Sequence, residues 1–169
     1  MNDRYPIGKF SCSECISSEE VQGWVDDIKS LPAKLNEALK ELDVKVLENT
    51  YREGGWSIRQ LVHHIADSHL NSYIRFKLAL TEDNPTIKPY SEEKWAELSD
   101  STLPLEVSLS LIQGLHERWG FLLENLTPAE LEKTFTHPES GVITLKENIG
   151  LYAWHGNHHL AHIKIALEK

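Results

Sequence analysis

Four histidines fall within eight consecutive positions near the C-terminal end of the sequence: His155, His158, His159 and His162. If this segment is an α-helix, in which each residue turns the chain by about 100 degrees, the four side chains share one face. Apolar residues flank that face, so we expect it to point into the protein core. Buried imidazoles without partners are costly, whereas a divalent cation satisfies several of them at once. The cluster therefore predicts a metal site.

Two pairs within this cluster have the spacing of chelating histidines. Residues four apart in a helix lie on successive turns and can bind one ion at nitrogen-to-metal distances of about 2.0 to 2.1 Å. His155 pairs with His159 in this way, and His158 pairs equally well with His162. Spacing alone leaves both pairs open.

A second group of histidines lies in an earlier helical segment and offers a third ligand. It contains His63, His64 and His69. The helical wheel places His69 in the middle of the apolar stripe, with His63 and His64 on its two flanks. Periodicity does not choose among the three.

Two common metalloenzyme motifs are absent. His116-Glu117 begins like the HExxH motif of zinc proteases, but Gly120 stands where the second histidine is needed. No glutamate lies three residues before a histidine, so the Glu-x-x-His pattern of di-iron carboxylate bundles is also missing. A mononuclear, histidine-rich site is the remaining prediction.

Four long amphipathic segments must position these histidines, and capping patterns mark the start of three of them. The capping pairs are Ser17 with Glu20, Ser57 with Gln60, and Thr144 with Glu147. We expect the first helix to bend or break at Pro32, the second to span about 57–80, and the last to run from Thr144 to Leu167. Thr102 and Pro104 open the third long helix. Its predicted apolar stripe is Val107, Leu111, Leu115, Leu122 and Leu126.

The connection between the second and third long helices is unusually long. It contains about twenty residues, with a short helix expected within 91–98, whereas antiparallel neighbours are commonly joined by about 2 to 8 residues. Residues 134–143 carry turn signals and predict an extended excursion or small hairpin. The sequence thus predicts an all-α fold, a four-helix bundle with a long crossover between helices two and three, formed as a single domain over residues 1–169.

Charge and hydropathy exclude several functional classes. The chain has 26 acidic and 17 basic residues and a net charge of -9, which repels nucleic acids and anionic membranes. No apolar run reaches the roughly 18 residues that span a bilayer, and residues 1–6 lack the apolar part of a signal peptide. We therefore expect a cytoplasmic protein, with Cys12 and Cys15 as reduced thiols.

The chain resembles the DinB/YfiT-like family, and most closely its YfiT branch of metal-dependent hydrolases. The resemblance covers nearly the whole chain and is carried by residues 5–10, 51–56, 63–69, 71–77 and 154–159. It implies a four-helix bundle, a homodimer, and one divalent metal ion per subunit held by one histidine of helix two and two of the last helix. Cys12 and Cys15 are not part of the family pattern.

Carried over by motif, the resemblance implies a particular ligand set. The first ligand precedes an Ile-Ala-Asp string, which corresponds to His64, and the last-helix pair corresponds to His155 and His159. His162 falls where the family often has a polar residue that supports a ligand. Zinc is the expected ion, and nickel accepts the same ligands in recombinant material.

Two polar residues are predicted to support the ligand histidines through hydrogen bonds. Asp67 and Asn148 are candidates to hydrogen-bond the ring nitrogens of the ligand imidazoles that do not bind the metal.

The predicted ligand set also bears on the reaction. Three imidazoles leave coordination positions open, and a zinc-like ion lowers the pKa of bound water from about 15.7 toward about 7 and deprotonates thiols more readily still. We predict a metal-dependent hydrolase acting on a small molecule. The alternatives are a bacillithiol, or other low-molecular-weight thiol, S-transferase and a non-enzymatic metal-binding protein; no general base is identified.

Overall fold

The computed structural model describes residues 3–169 and is dominated by four long helices. In chain order the elements are α1 (Ser18–Leu39), a 3-10 helix (Val44–Glu48), α2 (Ile58–Thr81), α3 (Glu92–Ala96), a second 3-10 helix (Ser99–Thr102), α4 (Leu105–Glu124), α5 (Pro128–Leu131), β1 (Thr134–His137), β2 (Gly141–Thr144) and α6 (Leu145–Leu167). The long helices α1, α2, α4 and α6 form the bundle. The prediction of an all-α four-helix bundle is confirmed.

Reciprocal caps fix the start of the two helices that carry the histidine clusters. The Ser57 hydroxyl accepts a hydrogen bond from the Gln60 N–H, and the Gln60 side chain accepts one from the Ser57 N–H. Thr144 and Glu147 form the same arrangement at the start of α6. These caps satisfy N–H groups that the first turn leaves without helical partners, so each helix begins at a defined residue.

Of the two outcomes predicted at Pro32, a bend or a break, the break was wrong, because α1 continues through this residue from Ser18 to Leu39. Proline removes one backbone hydrogen bond and strains the preceding turn. Here Ile28 and Leu35, on either side of Pro32 along the buried face, are almost completely removed from water. Burial of such side chains stabilises by about 1.5 to 3 kcal/mol each, which offsets the cost of the proline.

Consecutive helices of the bundle are not always neighbours. Within residues 3–169, α1 makes its extensive helix contacts with α4 and α6, and α2 also packs against α4 and α6. The helices α1 and α2 therefore lie across the bundle from each other. Residues 82–104, which include α3 and the second 3-10 helix, connect α2 to α4. This is the long crossover that the loop length predicted.

The core consists of two apolar clusters with polar side chains between them. One cluster includes Leu35, Leu61, Ile112 and Ile163, and the other includes Ile28, Phe76, Trp119 and Ile149. Along α6 the second cluster ends at Ala153 and the first begins at Leu160. The segment between them carries His155 and His159, so these histidines lie midway along the bundle.

The apolar stripe predicted for α4 was wrong at its N-terminal end, although Leu115 is buried as predicted. Val107 and Leu111 are 52% and 45% exposed, whereas the buried face carries Ser108, His116 and Trp119. Two of these three are polar and are satisfied by hydrogen bonds inside the bundle. A helix face that buries polar residues has a weak apolar period. The prediction of the buried face then follows exposed apolar residues whose spacing is more regular.

The remaining segments agree with their sequence patterns. Strands β1 and β2 form an antiparallel hairpin in which Phe135 pairs with Ile143. Cys12 and Cys15 are exposed free thiols. In the part of the chain described, residues 3–169, every helix is too short or too polar to cross a membrane.

Candidate metal centre

One histidine of α2 and two of α6 converge at the middle of the bundle. His64, His155 and His159 each present one imidazole nitrogen, and these nitrogens lie within 4.8 Å of one another. The ring centroids are 5.2 Å apart for His64 and His155, 4.8 Å for His64 and His159, and 4.5 Å for His155 and His159. The fold therefore brings together the three residues that the family resemblance implied.

The spacing of the nitrogens suits a cation. The Nε2 atoms of His64 and His155 are 3.2 Å apart. Two nitrogens bound to one ion at about 2.0 to 2.1 Å stand about 2.9 Å apart at a right angle and about 3.3 to 3.4 Å apart at a tetrahedral angle. The observed distance falls between these values. Neutral imidazole is also a preferred ligand of zinc, copper, iron and nickel.

Burial keeps the three imidazoles in the form that binds metals. It lowers the pKa of His64 to about 4 and places those of His155 and His159 well below the ordinary value. Mutual repulsion with neighbouring histidines acts in the same direction at the two α6 residues. His155 keeps some surface exposure, but its ring packs against those of Tyr152 and His69 as well as the other two candidate ligands. At neutral pH these imidazoles are uncharged and need no deprotonation to coordinate an ion.

The other two histidines of α2 have different partners. His63 points its Nδ1 at the Ser108 hydroxyl, 2.7 Å away, and its Nε2 at the Leu103 carbonyl, 2.9 Å away. His69 is fully buried and hydrogen-bonds His116 and His155. The structure therefore resolves a choice that spacing had left open, because His64 is the member of this group that approaches both His155 and His159.

His158 and His162 also approach His159, with one nitrogen of each within 4.8 Å of the others. The ring of His158 stacks on Trp154 at 4.4 Å, and that of His162 stacks on Tyr51 at 3.8 Å. The Nδ1 atoms of His162 and His159 are 3.3 Å apart. This second trio comes entirely from α6 and shares His159 with the first.

A cavity of about 260 Å³ adjoins the centre. Trp56 forms part of its wall, and its ring centroid lies 4.6 Å from that of His64 and 6.4 Å from that of His159. Tyr51, Arg52 and Arg4 also line it, together with the three histidines of the second trio. Sequence reasoning assigned Trp56 no site role, because a tryptophan at helical spacing is more often a core residue.

The two predicted outer partners of the ligands have other surroundings. Asn148 donates its side-chain N–H to the Ser72 hydroxyl at 3.1 Å and does not contact a candidate ligand by hydrogen bond. Burial, aided by the charge of Asp100, raises the pKa of Asp67 to about 6. Instead, Nδ1 of His155 lies 3.0 Å from Nε2 of His69, and Nδ1 of His159 lies 3.3 Å from Nδ1 of His162.

Comparison with known proteins decides the family. Residues 28–163 match the sequence model of the DinB superfamily. The chain belongs to this superfamily. As a DinB-superfamily member it is 59% identical, over 98% of its length and 96% of the other chain, to a Bacillus mycoides (strain KBAB4) protein named "Putative metal-dependent hydrolase". A Bacillus cereus (strain 03BB102) protein of the same name is 60% identical over 96% of this chain and 95% of its own.

A solved structure gives the same result for the fold. YfiT from Bacillus subtilis, described as a probable metal-dependent hydrolase with an unusual four-helix bundle topology, superposes with a TM-score of 0.94. It shares 48% sequence identity and covers 98% of this chain and 96% of its own. The resemblance to the YfiT branch is thereby confirmed, and the prediction of a metal-dependent enzyme agrees with the names of these relatives.

Proposed function

We propose that this protein is a metal-dependent hydrolase in which His64, His155 and His159 hold one divalent cation. The observation that carries the proposal is the 3.2 Å approach of the Nε2 atoms of His64 and His155, from two different helices, with a nitrogen of His159 within reach. The names of the relatives support the reaction class.

Two features favour this trio over the one formed by His158, His159 and His162. Ligands from α2 and α6 approach a central ion from different directions, whereas three side chains of one helix approach it from one side. The rings of His158 and His162 are also held by stacking on Trp154 and Tyr51. Reorienting them toward a common ion would lose these contacts.

The proposed ligand set leaves part of the coordination sphere open. Three protein ligands leave at least one coordination position for water or substrate, as in catalytic zinc sites. Zinc is the proposed ion. When bound, it lowers the pKa of a coordinated water and supplies positive charge where negative charge develops in the reaction.

The cavity beside His159 is lined by the aromatic rings of Trp56 and Tyr51 and by the guanidinium group of Arg52. These groups suit a small substrate with an apolar part and an acceptor or anionic group.

A low-molecular-weight thiol S-transferase, with bacillithiol as a candidate thiol, is the second proposal. The same cation would deprotonate a thiol. The observation that favours it is the pair of arginines, Arg4 and Arg52, that line the cavity beside His159. Guanidinium groups bind carboxylates, which low-molecular-weight thiols commonly carry.

One assay separates the two reactions. The protein is stripped of metal, reloaded with Zn²⁺, and given an activated aryl ester or a halogenated electrophile, each with and without added thiol. The hydrolase proposal expects ester turnover in water alone, only after reloading, and its loss in His64→Ala. His63→Ala is the matched control, since His63 is a buried neighbour outside the trio. Turnover only in the presence of thiol would replace the hydrolase by the transferase, and turnover without metal would eliminate both.

We also propose a cytoplasmic homodimer in which each chain forms one domain. The family resemblance supports the dimer, and the exposed free thiols of Cys12 and Cys15 suit a reducing compartment. Sedimentation equilibrium of the full chain tests the dimer, which predicts twice the chain mass of 19.3 kDa.

A further inference from the structure

Three imidazoles form a hydrogen-bonded chain through the polar layer of the bundle. The Nδ1 atom of His155 lies 3.0 Å from Nε2 of His69, and Nδ1 of His69 lies 2.8 Å from Nε2 of His116. The chain ends where Nδ1 of His116 meets the backbone carbonyl of Ile28 at 2.6 Å. Its four members belong to α6, α2, α4 and α1, so every long helix contributes one.

The last bond determines the position of every proton in the chain. A carbonyl oxygen only accepts hydrogen bonds, so Nδ1 of His116 carries the hydrogen. In a neutral imidazole the other nitrogen then has none, and Nε2 of His116 accepts from Nδ1 of His69. By the same step Nε2 of His69 accepts from Nδ1 of His155. All three residues are therefore in the Nδ1–H form.

The surroundings of the chain disfavour any additional proton. The Trp119 ring lies nearly perpendicular to the rings of His69 and His116, with centroids 5.8 and 5.6 Å apart, and Tyr152 packs against His69 at 5.2 Å. His69 is completely buried and His116 is 1% exposed. Within residues 3–169 the hydrogen-bond partners of His69 and His116 are imidazoles and a backbone carbonyl, so an imidazolium ion here would lose its hydration without gaining a carboxylate partner.

We propose that His69 and His116 are positioning residues that fix His155 as an Nε2 ligand. With its hydrogen on Nδ1, His155 turns a bare Nε2 lone pair toward His64. The inference rests on the proposed metal centre, and it assigns a role to two histidines outside the ligand set. Metal-bound histidines commonly donate their other N–H to a carboxylate, carbonyl or water. Here the acceptor is a neutral imidazole, so it adds no negative charge beside the cation.

Nuclear magnetic resonance of the wild-type protein tests the proton positions directly. In metal-free protein labelled with ¹⁵N-histidine, couplings between ring nitrogens and ring carbon-bound protons distinguish the two neutral forms. We expect Nδ1–H at His155, His69 and His116 at neutral pH. An Nε2–H form at His155 or His69, or a charged His69, would overturn the proposal.

Two substitutions at the far end of the chain test the effect on metal binding. His116→Leu removes the acceptor for His69, and we expect the Zn²⁺ affinity, measured by competition with a chelator, to fall about 10- to 100-fold. His116→Gln can place an amide oxygen near the position of Nε2, so it should restore most of the affinity. His63→Gln, a substitution at a buried α2 histidine outside the chain, should leave the affinity unchanged.

The outcomes separate this proposal from the function on which it rests. If zinc binds tightly but His155 and His69 carry their hydrogens on Nε2, the positioning role is wrong and the metal centre stands. If the three residues are in the Nδ1–H form but the wild-type protein binds no zinc, the metal centre is wrong and the ligand-positioning role falls with it. If His116→Leu fails to fold, as judged by circular dichroism, the wild-type spectrum and His116→Gln still decide the proposal.

Discussion

His64 and His155 come within 3.2 Å of each other at their Nε2 atoms, although one lies on α2 and the other on α6. A cation held by both would join two helices whose contact lies at the centre of the bundle. Because the unfolded chain does not hold the two residues together, such binding favours the folded state.

Zinc should therefore stabilise the protein. At a free concentration of about 100 times the dissociation constant, we expect the free energy of unfolding to increase by about 2.7 kcal/mol. Thermal unfolding followed by circular dichroism, with Zn²⁺ and with a chelator, measures the change. In His64→Ala the two midpoints should nearly coincide; a zinc effect of wild-type size in that variant would contradict the ligand assignment.

A side chain at Gly156, the residue after His155, should destabilise the protein. A Cβ atom there would lie 2.7 Å from Cδ2 of Leu31 and 3.5 Å from Cε1 of His69. Overpacking of this kind costs about 1 to 3 kcal/mol, partly offset by the gain of about 1 kcal/mol in helix propensity. We expect Gly156→Ala to lower the free energy of unfolding by about 1 kcal/mol and to weaken zinc binding, since it displaces α6 beside a proposed ligand.

Gly114→Ala is the matched control. Gly114 is also helical, but it is exposed on α4 and a Cβ atom there meets nothing within 4 Å. This variant should gain up to about 1 kcal/mol of stability through helix propensity. Equal effects of the two substitutions on urea unfolding would show that the contact with Leu31 does not limit the packing of α6.

The metal-free protein should lose stability as the pH falls below about 6.5. Burial lowers the pKa of His64 and His116 to about 4 and that of His69 well below its ordinary value. Between the two pKa values the unfolded chain binds protons that the folded chain does not, so acidification favours unfolding. Asp67 acts in the opposite direction, because its raised pKa of about 6 lets the folded state bind a proton first. The buried histidines outnumber it, and the net effect is a loss.

Urea unfolding across the range from about pH 7.5 to 4.5 measures this dependence. Each buried histidine contributes up to about 1.4 kcal/mol per pH unit within its window. His116→Gln removes one such group, and its stability should fall less steeply with pH than that of the wild type. A wild-type stability that stays constant from pH 6.5 to 4.5 would exclude this origin for the acid sensitivity.

Local signals were enough to predict the helices. A cap such as Ser57 with Gln60 acts within one turn, so the sequence itself places the start of α2. The long connection before α4 was likewise visible from turn residues and chain length. The break that was one predicted outcome at Pro32 does not occur, because the cost of a proline is local, whereas the burial of its neighbours that offsets this cost is tertiary.

The site was predictable only in part. Helical spacing placed the four α6 histidines on one face, but it could not distinguish His155 and His159 from His158 and His162. The family motif was needed to name His64. Neither source predicted the hydrogen bonds of His69 and His116, because these residues lie on different helices and meet only when the bundle forms. His116 falls on the buried face of α4, and the predicted stripe included Leu115 of that face but none of its polar residues.

Elemental analysis of zinc-loaded protein after gel filtration tests the central claim most directly. The wild type should retain about one ion per chain, and His64→Ala, His155→Ala and His159→Ala should each lose it. His158→Ala and His162→Ala should retain it, since their side chains belong to the second trio. Retention in His64→Ala together with loss in His158→Ala and His162→Ala would place the ion on α6 alone and contradict the proposed centre.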